Sequence, residues 1–128
     1  MSREIKFRAW DKYENKIRKV RAINFTNKDL WLEIEDNRIM GANFFEVELM
    51  QYTGLKDKNG KEIYEGDIIK FTDNYNTDIP EKIGVVKFNN ASFYITDGAY
   101  SCYRWIDINI EIIGNIYIYE NPDLLEDN

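Results

Sequence analysis

Four carboxylates stand close together in the middle of the sequence, at Asp57, Glu62, Glu65 and Asp67. Paired carboxylates can perform acid–base chemistry or bind a divalent cation. The segment DKNG at residues 57–60 also has the composition of a calcium loop, but an EF-hand places its glycine at position 6 and this segment has it at position 4. Asp, Asn and Gly are ordinary turn residues. The sequence therefore predicts a turn here and no metal site.

Histidine is absent from the sequence, and Cys102 is its one cysteine. These counts exclude Ser-His-Asp triads, Cys-His pairs, His-ligated metal centres and any disulfide within the chain. A cysteine nucleophile needs a neighbouring base, so we interpret Cys102 as a packing residue. We predict that the protein is not an enzyme and has no cofactor.

Charge is distributed unevenly along the chain. The net charge is −6, but residues 1–64 carry thirteen Lys and Arg against eleven Asp and Glu, whereas residues 65–128 carry four against twelve. Residues 1–21 are the most basic part, with eight basic and three acidic residues. Such asymmetry can indicate a charged partner. The alternative is that these charges are solvated faces of strands.

The cellular compartment is predicted from three features that the sequence lacks: a transmembrane helix, an apolar signal region and an internal disulfide. No apolar run is long enough for a transmembrane helix, and the first residues, MSREIK, contain no apolar signal region. Because the chain also has no possible internal disulfide, we expect a reducing cytoplasm and no association with a membrane.

Alternation of apolar and polar residues is the dominant pattern, and it predicts strands with turns every eight to twelve residues. The predicted strands are residues 5–10, 17–25, 31–34, 44–52, 68–71, 84–88, 91–96 and 111–119. Residues 72–80 and 97–104 are predicted to be loops, and residues 121–125 one helical turn. The residues expected to shape turns are Gly54, Asn59, Gly60, Gly66 and Asp67.

This pattern predicts a mainly β protein with two small β-rich subdomains. Residues 1–45 form the first, which contains an N-terminal hairpin, and residues 46–128 form the second. The order strand, loop, hairpin, strand in the second half indicates a small SH3-like barrel. A polar-Gly-Asp-Ile sequence at residues 65–68 supports it, since the glycine can take a positive φ and the aspartate can bind a nearby backbone amide.

Three segments resemble the YopX-like family of phage and prophage proteins. They are REIKFRAWD at residues 3–11, LMQYTGLKD at 49–57 with GDI at 66–68, and EIIGNIY at 111–117 with ENPDLL at 120–125. Ile118 and Tyr119 are an insertion relative to the closing phrase of the family, and we expect them to lengthen the last strand. The resemblance implies a mostly β, self-associating protein of uncharacterised activity in a bacterial host cytoplasm.

Two functions remain open. The first is an accessory interaction protein that forms a homo-oligomer, in which the basic N-terminal hairpin meets the acidic C-terminal part of a neighbouring subunit. A further option of this class is an acidic protein that occupies a DNA-binding protein of the host. The second is a nucleic-acid-binding module that uses basic strands for phosphate contact and Trp10, Tyr13 and Trp31 for base stacking. The candidate contact residues for either partner are Lys6, Arg8, Trp10, Arg18 and Arg21.

Overall fold

The fold is taken from a computed structural model that describes residues 4–72, 81–89, 91–98, 101–102 and 109–119. The chain divides into two compact units, Met1–Tyr52 and Thr53–Asn128. The protein is mainly β, with 65% strand and 9% helix in two antiparallel sheets, which confirms the predicted fold class at that level.

The first unit is an antiparallel sheet with strand order β4-β3-β2-β1-β5. A 3-10 turn, Glu35–Asn37, joins β3 to β4, and a second, Phe44–Glu46, joins β4 to β5. The strands are β1 (Phe7–Asp11), β2 (Lys16–Asn24), β3 (Asp29–Glu33), β4 (Ile39–Asn43) and β5 (Val47–Lys56). The last four residues of β5 belong to the second unit.

One face of the first sheet carries the core of its unit. Ala9 on β1, Leu30 and Leu32 on β3, Ala42 on β4 and Val47 on β5 are all buried and packed together. The register explains the grouping, because Leu30 lies opposite Ala42 and side chains of directly opposed residues share a face.

The second unit contains a five-stranded sheet with the order β10-β9-β8-β7-β11. Its strands are β7 (Asp67–Thr72), β8 (Glu81–Asn89), β9 (Ser92–Thr96), β10 (Ser101–Cys102) and β11 (Glu111–Asn115). The short β6 (Glu62–Tyr64) precedes them and is an outer strand next to β5, whose last four residues belong to this same unit. Within the described ranges no pairing closes this sheet into a barrel. A short helix, α1 (Ile116–Tyr119), follows β11.

Large apolar residues fill the core of the second unit. Ile69 and Phe71 on β7, Val86 on β8 and Ile95 on β9 are at most 2% exposed. Cys102 joins this cluster and is buried, in agreement with its interpretation as a packing residue.

Several local predictions were wrong, and one of the strands that we did not predict is β6 at Glu62–Tyr64. Residues 39–43 form β4, although we predicted no strand there, and Ser101–Cys102 pairs with β9 inside a predicted loop. The last predicted strand ends at Asn115, and Ile118 and Tyr119 lie in α1 instead of lengthening it. The side chain of Asn115 accepts a hydrogen bond from Tyr117 N at 2.9 Å, and this local bond turns the backbone out of the strand.

Other predictions fall outside what the structure describes. They are residues 73–80 of the loop predicted at 72–80, residues 99–100 and 103–104 of the loop predicted at 97–104, and the helical turn at 121–125. The predicted subdomain boundary at residues 45/46 precedes β5, and it stays a prediction.

Candidate interaction surface

The carboxylate of Asp57 is buried and accepts three backbone hydrogen bonds. Asn59 N and Lys61 N donate to it at 2.9 Å from its own turn, and Ile112 N donates at 3.1 Å from β11. Burial alone would raise the pKa of Asp57, but the bonds from Ile112, Lys61 and Asn59 outweigh it and hold the pKa below its usual value. The carboxylate ties a turn to a distant strand.

Asp67 has a similar role at the start of β7. Its carboxylate accepts a hydrogen bond from Tyr64 N at 2.8 Å and another from Asn115 Nδ2 at 3.4 Å. Gly66 beside it has φ +85°, a conformation that a residue with a Cβ adopts at a cost. The backbone of Gly66 donates to Val86 O and accepts from Ile116 N, so this turn is bonded on both sides.

In the first unit, Asp11 organises the β1–β2 hairpin. Its carboxylate accepts from Tyr13 N and Glu14 N and pairs with the buried guanidinium of Arg18, whose Nε lies 3.1 Å away. Burial opposes ionisation of Asp11, but the bonds from Glu14, Arg18 and Tyr13 dominate and lower its pKa. The partly exposed Glu35 completes the network, and its bonds to Lys16 and Arg18 lower its pKa to about 2.

These hydrogen-bond networks show that the three segments quoted above for the family resemblance have a structural role. The buried polar residues of the described chain are Asp11, Arg18, Asp57, Asp67 and Asn115. Four of them lie within the three segments, and Arg18 pairs with Asp11. These side chains bond to backbone groups and to one another, so the segments stabilise the fold. We therefore expect a partner to bind outside these segments.

The candidate contact residues of the N-terminal hairpin occupy different environments. Trp10 is 5% exposed and Arg18 8% exposed, so neither presents its side chain to a partner. Lys6 pairs with Glu4 and lies 5.2 Å from the ring of Tyr52. The other two candidates are Arg8, which is half-buried, and Arg21, which is exposed and paired with Glu33 at 3.0 Å.

Three of the predicted turn residues lie in or beside the turn after β5. Gly54 lies inside β5, where it has φ +90°, and Gly60 has φ +83° in the turn that follows. Asn59 donates its backbone N–H to Asp57 in that same turn.

Exposed apolar side chains collect on the outer strands of the first unit. Trp31 on β3 is 48% exposed, and Ile39 and Met40 on β4 are 52% and 37% exposed. The indole of Trp31 lies against Gly41, with Cζ3 3.3 Å from the position that a Cβ would occupy. Because Gly41 has no side chain, the ring of Trp31 extends over β4 toward the open edge of the sheet.

The hydrogen-bond alternation shows which backbone groups of β4 face outward. Ile34 N donates to Arg38 O and Phe44 N donates to Lys28 O, just beyond the two ends of the β3–β4 ladder. Alternate pairs of an antiparallel ladder exchange such bonds, so the N–H and C=O of Ile39 and Gly41 point away from β3. We name the outward backbone of β4, with Trp31, Ile39 and Met40, the β4 edge.

An apolar depression lies on the outer face of the second sheet. It has a volume of about 510 Å³ and is lined mainly by aliphatic side chains, and Lys87, Thr96 and Asp97 also line it. The aliphatic lining consists of Ile68, Ile83, Val85 and Ile116.

Two further properties concern the described residues alone. No helix among them is long and apolar enough to cross a membrane. Nor do three of their Cys, Asp or Glu side chains come together as metal ligands would.

Comparison with known proteins identifies the family. The family model described as "YopX protein" matches residues 6–126, which is nearly the whole chain. The chain belongs to the YopX family. No curated protein matches it.

Solved structures of related proteins have the same fold. Protein EF1440 from Enterococcus faecalis is 28% identical, with a TM-score of 0.60 over 97% of this YopX-family chain and 99% of its own. Protein yopX from Bacillus subtilis is 22% identical, with a TM-score of 0.57 over 93% of this chain and 96% of its own. At 22% identity the second comparison shows the fold alone.

Sequence reasoning missed the β4 edge of this YopX-family chain. Gly, Ala and Asn in residues 39–43 are poor strand formers, so we predicted no strand there. The sequence nonetheless contained an indication of this edge, because residues 39–43 form an uncharged run that begins directly after Arg38.

Proposed function

We propose that this YopX-family protein is a self-associating interaction protein of a phage or prophage, that it acts in the bacterial cytoplasm, and that it is not an enzyme. The observation that carries the proposal is the β4 edge, where β4 has no strand on its outer side among the residues that the structure describes and large exposed apolar side chains lie beside it. Exposed apolar surface next to unpaired backbone groups favours protein–protein contact.

Ion pairing within the first unit also favours a protein partner over a polyanion. Basic residues of the hairpin already contact acids of the same unit: Lys6 with Glu4, Lys12 with Glu48, Lys16 and Arg18 with Glu35, and Arg21 with Glu33. Each such contact reduces the positive potential available to a phosphate backbone. The same pairing weakens a head-to-tail contact between the basic hairpin and an acidic surface.

The SH3-like barrel remains part of the proposal for the second unit. The order β10-β9-β8-β7-β11 supports it, because a meander of four strands with the fifth antiparallel to the first is the connectivity expected of that barrel. Small barrels of this kind present sheet edges and loops to partners and need no catalytic residues.

Light scattering after size-exclusion chromatography tests the proposed self-association. We expect a molar mass above the 15.3 kDa of one chain that rises with protein concentration. A constant mass of one chain at every concentration would falsify the proposal.

Nucleic-acid binding is the second candidate, and one observation favours it. Trp31, Lys19 and Arg21 are exposed, and Trp31 lies on β3 opposite Ala22, the residue after Arg21. A half-exposed indole near guanidinium and ammonium groups could stack on a base while they contact phosphate.

Titration with single-stranded DNA and RNA at low salt tests this candidate. Lys19→Glu and Arg21→Glu are the suitable variants, since Arg18 is buried in an ion pair and its replacement would disturb the fold. Binding by the natural protein that both variants weaken would support it. No binding at low salt, where the phosphate contribution is largest, would remove it.

A further inference from the structure

We propose that two copies of this chain pair antiparallel along β4, with Gly41 of one copy opposite the partner's Gly41. The inference rests on the proposed self-association and specifies its surface and register. The pairing has two-fold symmetry, so both copies use the same strand, and it joins the two first-unit sheets into one.

The backbone of β4 selects this register. The outward N–H and C=O of Gly41 would exchange bonds with the partner's Gly41. Ile39 N would donate to the carbonyl of the partner's Asn43, whereas Asn43 N already donates to Glu46 Oε1 at 2.8 Å and ends the ladder there. A shift of the pairing by two residues would leave part of each five-residue strand without a partner.

The side chains on the Trp31 face fit the same register. Each indole lies against its own Gly41, and the two glycines would be direct neighbours across the symmetry axis. The two rings would therefore meet over a pair of residues that have no side chains. Ile39, which is 52% exposed, would flank them and lose much of its exposed area.

On the opposite face, a large residue would meet a small one. Met40 would stand opposite the partner's Ala42, because it lies one residue before the central glycine. Ala42 and Met40 both line a cavity of about 250 Å³ in their own copy, together with apolar residues such as Leu32 and with the acids Asp11, Glu14 and Glu46. The flexible Met40 side chain, 37% exposed in one copy, would pack on the partner's Ala42 and lose part of its exposed area there.

The composition of β4 indicates a second copy as the occupant. Edge strands usually carry a charge, a proline or a bulge, or are very short, because these features prevent association. The other outer strands of the described sheets have such protection: β6 has three residues, β10 has two, and β11 contains Glu111 and a register irregularity. β4 is uncharged, so a strand that meets its own copy meets no like charge.

Two double variants test the register through the pair formed by residue 39 and the partner's residue 43. Ile39→Lys with Asn43→Lys would place like charges opposite each other, whereas Ile39→Glu with Asn43→Lys would place opposite charges there. At low salt we expect the first to weaken dimerisation about tenfold or more and the second to preserve or strengthen it. A five-residue edge is a small interface, so association should be measured over a wide range of concentration.

Ile113→Lys is the matched control, since Ile113 is 47% exposed and lies on β11 of the second unit. It should dimerise as the natural protein does, and thermal unfolding should show that all variants are folded. Equal association of the natural protein and both double variants would overturn the β4 pairing and leave self-association standing. Equal loss in both double variants would overturn the register, and a monomeric natural protein would overturn both proposals.

Disulfide cross-linking gives an independent readout if the lysine variant does not fold. Ile39→Cys with Asn43→Cys should form a covalent dimer under mild oxidation, because directly opposed residues of an antiparallel pair lie within disulfide reach. Each single variant should remain uncross-linked, since Cys102 is buried. Dimers that cross-link equally well through a single variant would contradict the pairing.

Discussion

Three backbone N–H groups converge on the carboxylate of Asp57, two from its own turn and one from β11. A neutral amide cannot replace this acceptor, because its NH₂ group would face an N–H donor and leave both unsatisfied. The position therefore depends on the charge of the side chain as well as on its shape.

We expect Asp57→Asn to lower the free energy of unfolding by about 1–3 kcal/mol, since a buried hydrogen-bonded carboxylate loses at least one partner. The exposed Asp36, with φ +62°, gives a matched control, because Asn tolerates this conformation. Asp36→Asn should change stability by less than about 0.5 kcal/mol. Urea unfolding measures both, and equal effects would show that the bonds at Asp57 contribute nothing specific.

The lowered pKa values of Asp11 and Asp57 predict acid sensitivity. A carboxylate with a lowered native pKa stabilises the fold above its unfolded pKa of about 4, and this contribution is lost as the pH falls through the native value. Stability should thus be level near neutral pH and fall below about pH 4. Asp57→Asn should show a shallower fall when unfolding is measured against pH.

Arg18 and Arg21 lie on the same strand, but the burial of their ion pairs differs. We expect Arg18→Ala to cost about 3 kcal/mol, because it leaves Asp11 buried without its cation. Arg21→Ala should cost less than about 1 kcal/mol, since its pair with Glu33 is exposed. Chemical denaturation measures the unfolding free energy of both variants. Similar losses in the two variants would contradict the assignment of Arg18 to the interior.

For single residues, the sequence predicts roles in turns better than it predicts which side chains are exposed. Asp57, Gly60 and Gly66 have short-range roles that residue type reveals. The burial of Trp10 and Arg18 depends on which strand lies beside β1, and a sequence pattern does not contain that information.

Gly54 allows the backbone of β5 to take a positive φ within the strand. It lies inside β5 with φ +90°, and nothing lies within 4 Å of the position that a Cβ would take. The requirement for glycine is thus conformational and not steric.

We expect Gly54→Ala to destabilise the protein by about 1–2 kcal/mol, the cost of holding alanine at a positive φ. Gly114→Ala is the control within another strand, since its Cβ would meet Ile68 atoms at ordinary distances of 3.8–4.0 Å and no positive φ is required. Thermal unfolding should separate the two. A destabilisation by Gly114→Ala as large as that of Gly54→Ala would argue against the conformational explanation.

Strands whose sequences alternate strongly between apolar and polar residues were predictable. Strands that depend on contacts with neighbouring strands were not. The pattern of residues 17–25 corresponds to β2, Lys16–Asn24. β4 exists because Trp31 covers Gly41 and β3 supplies its hydrogen bonds, which are tertiary contributions. The last strand was predicted too long, because apolar Ile and Tyr continue past Asn115 while the Asn side chain turns the backbone.

For the whole molecule, the uneven charge of the sequence is partly balanced where the chain folds. The five ion-paired basic residues of the hairpin each have an acid in their own unit. A charge count over a sequence segment therefore overstates the potential that a partner would meet.

Assembly should accordingly withstand salt. If the β4 edge provides the contact, raising NaCl from about 50 mM to about 1 M should leave the association constant nearly unchanged, since apolar and backbone contacts are little affected by screening. Light scattering at both concentrations measures this. Dissociation at high salt would instead favour a contact between the basic hairpin and an acidic surface.

The bond between Asp57 and Ile112 joins residues that are 55 positions apart. A ribosome releases the N-terminal part of a chain first, so the turn at Asp57 is made long before β11 exists. During that interval the Asp57 carboxylate lacks its third donor, and β7 lacks the neighbour that β11 later provides. Completion of the second unit must therefore await synthesis of β11, and nascent chains that stop short of Ile112 should remain open to proteolysis and chaperone binding.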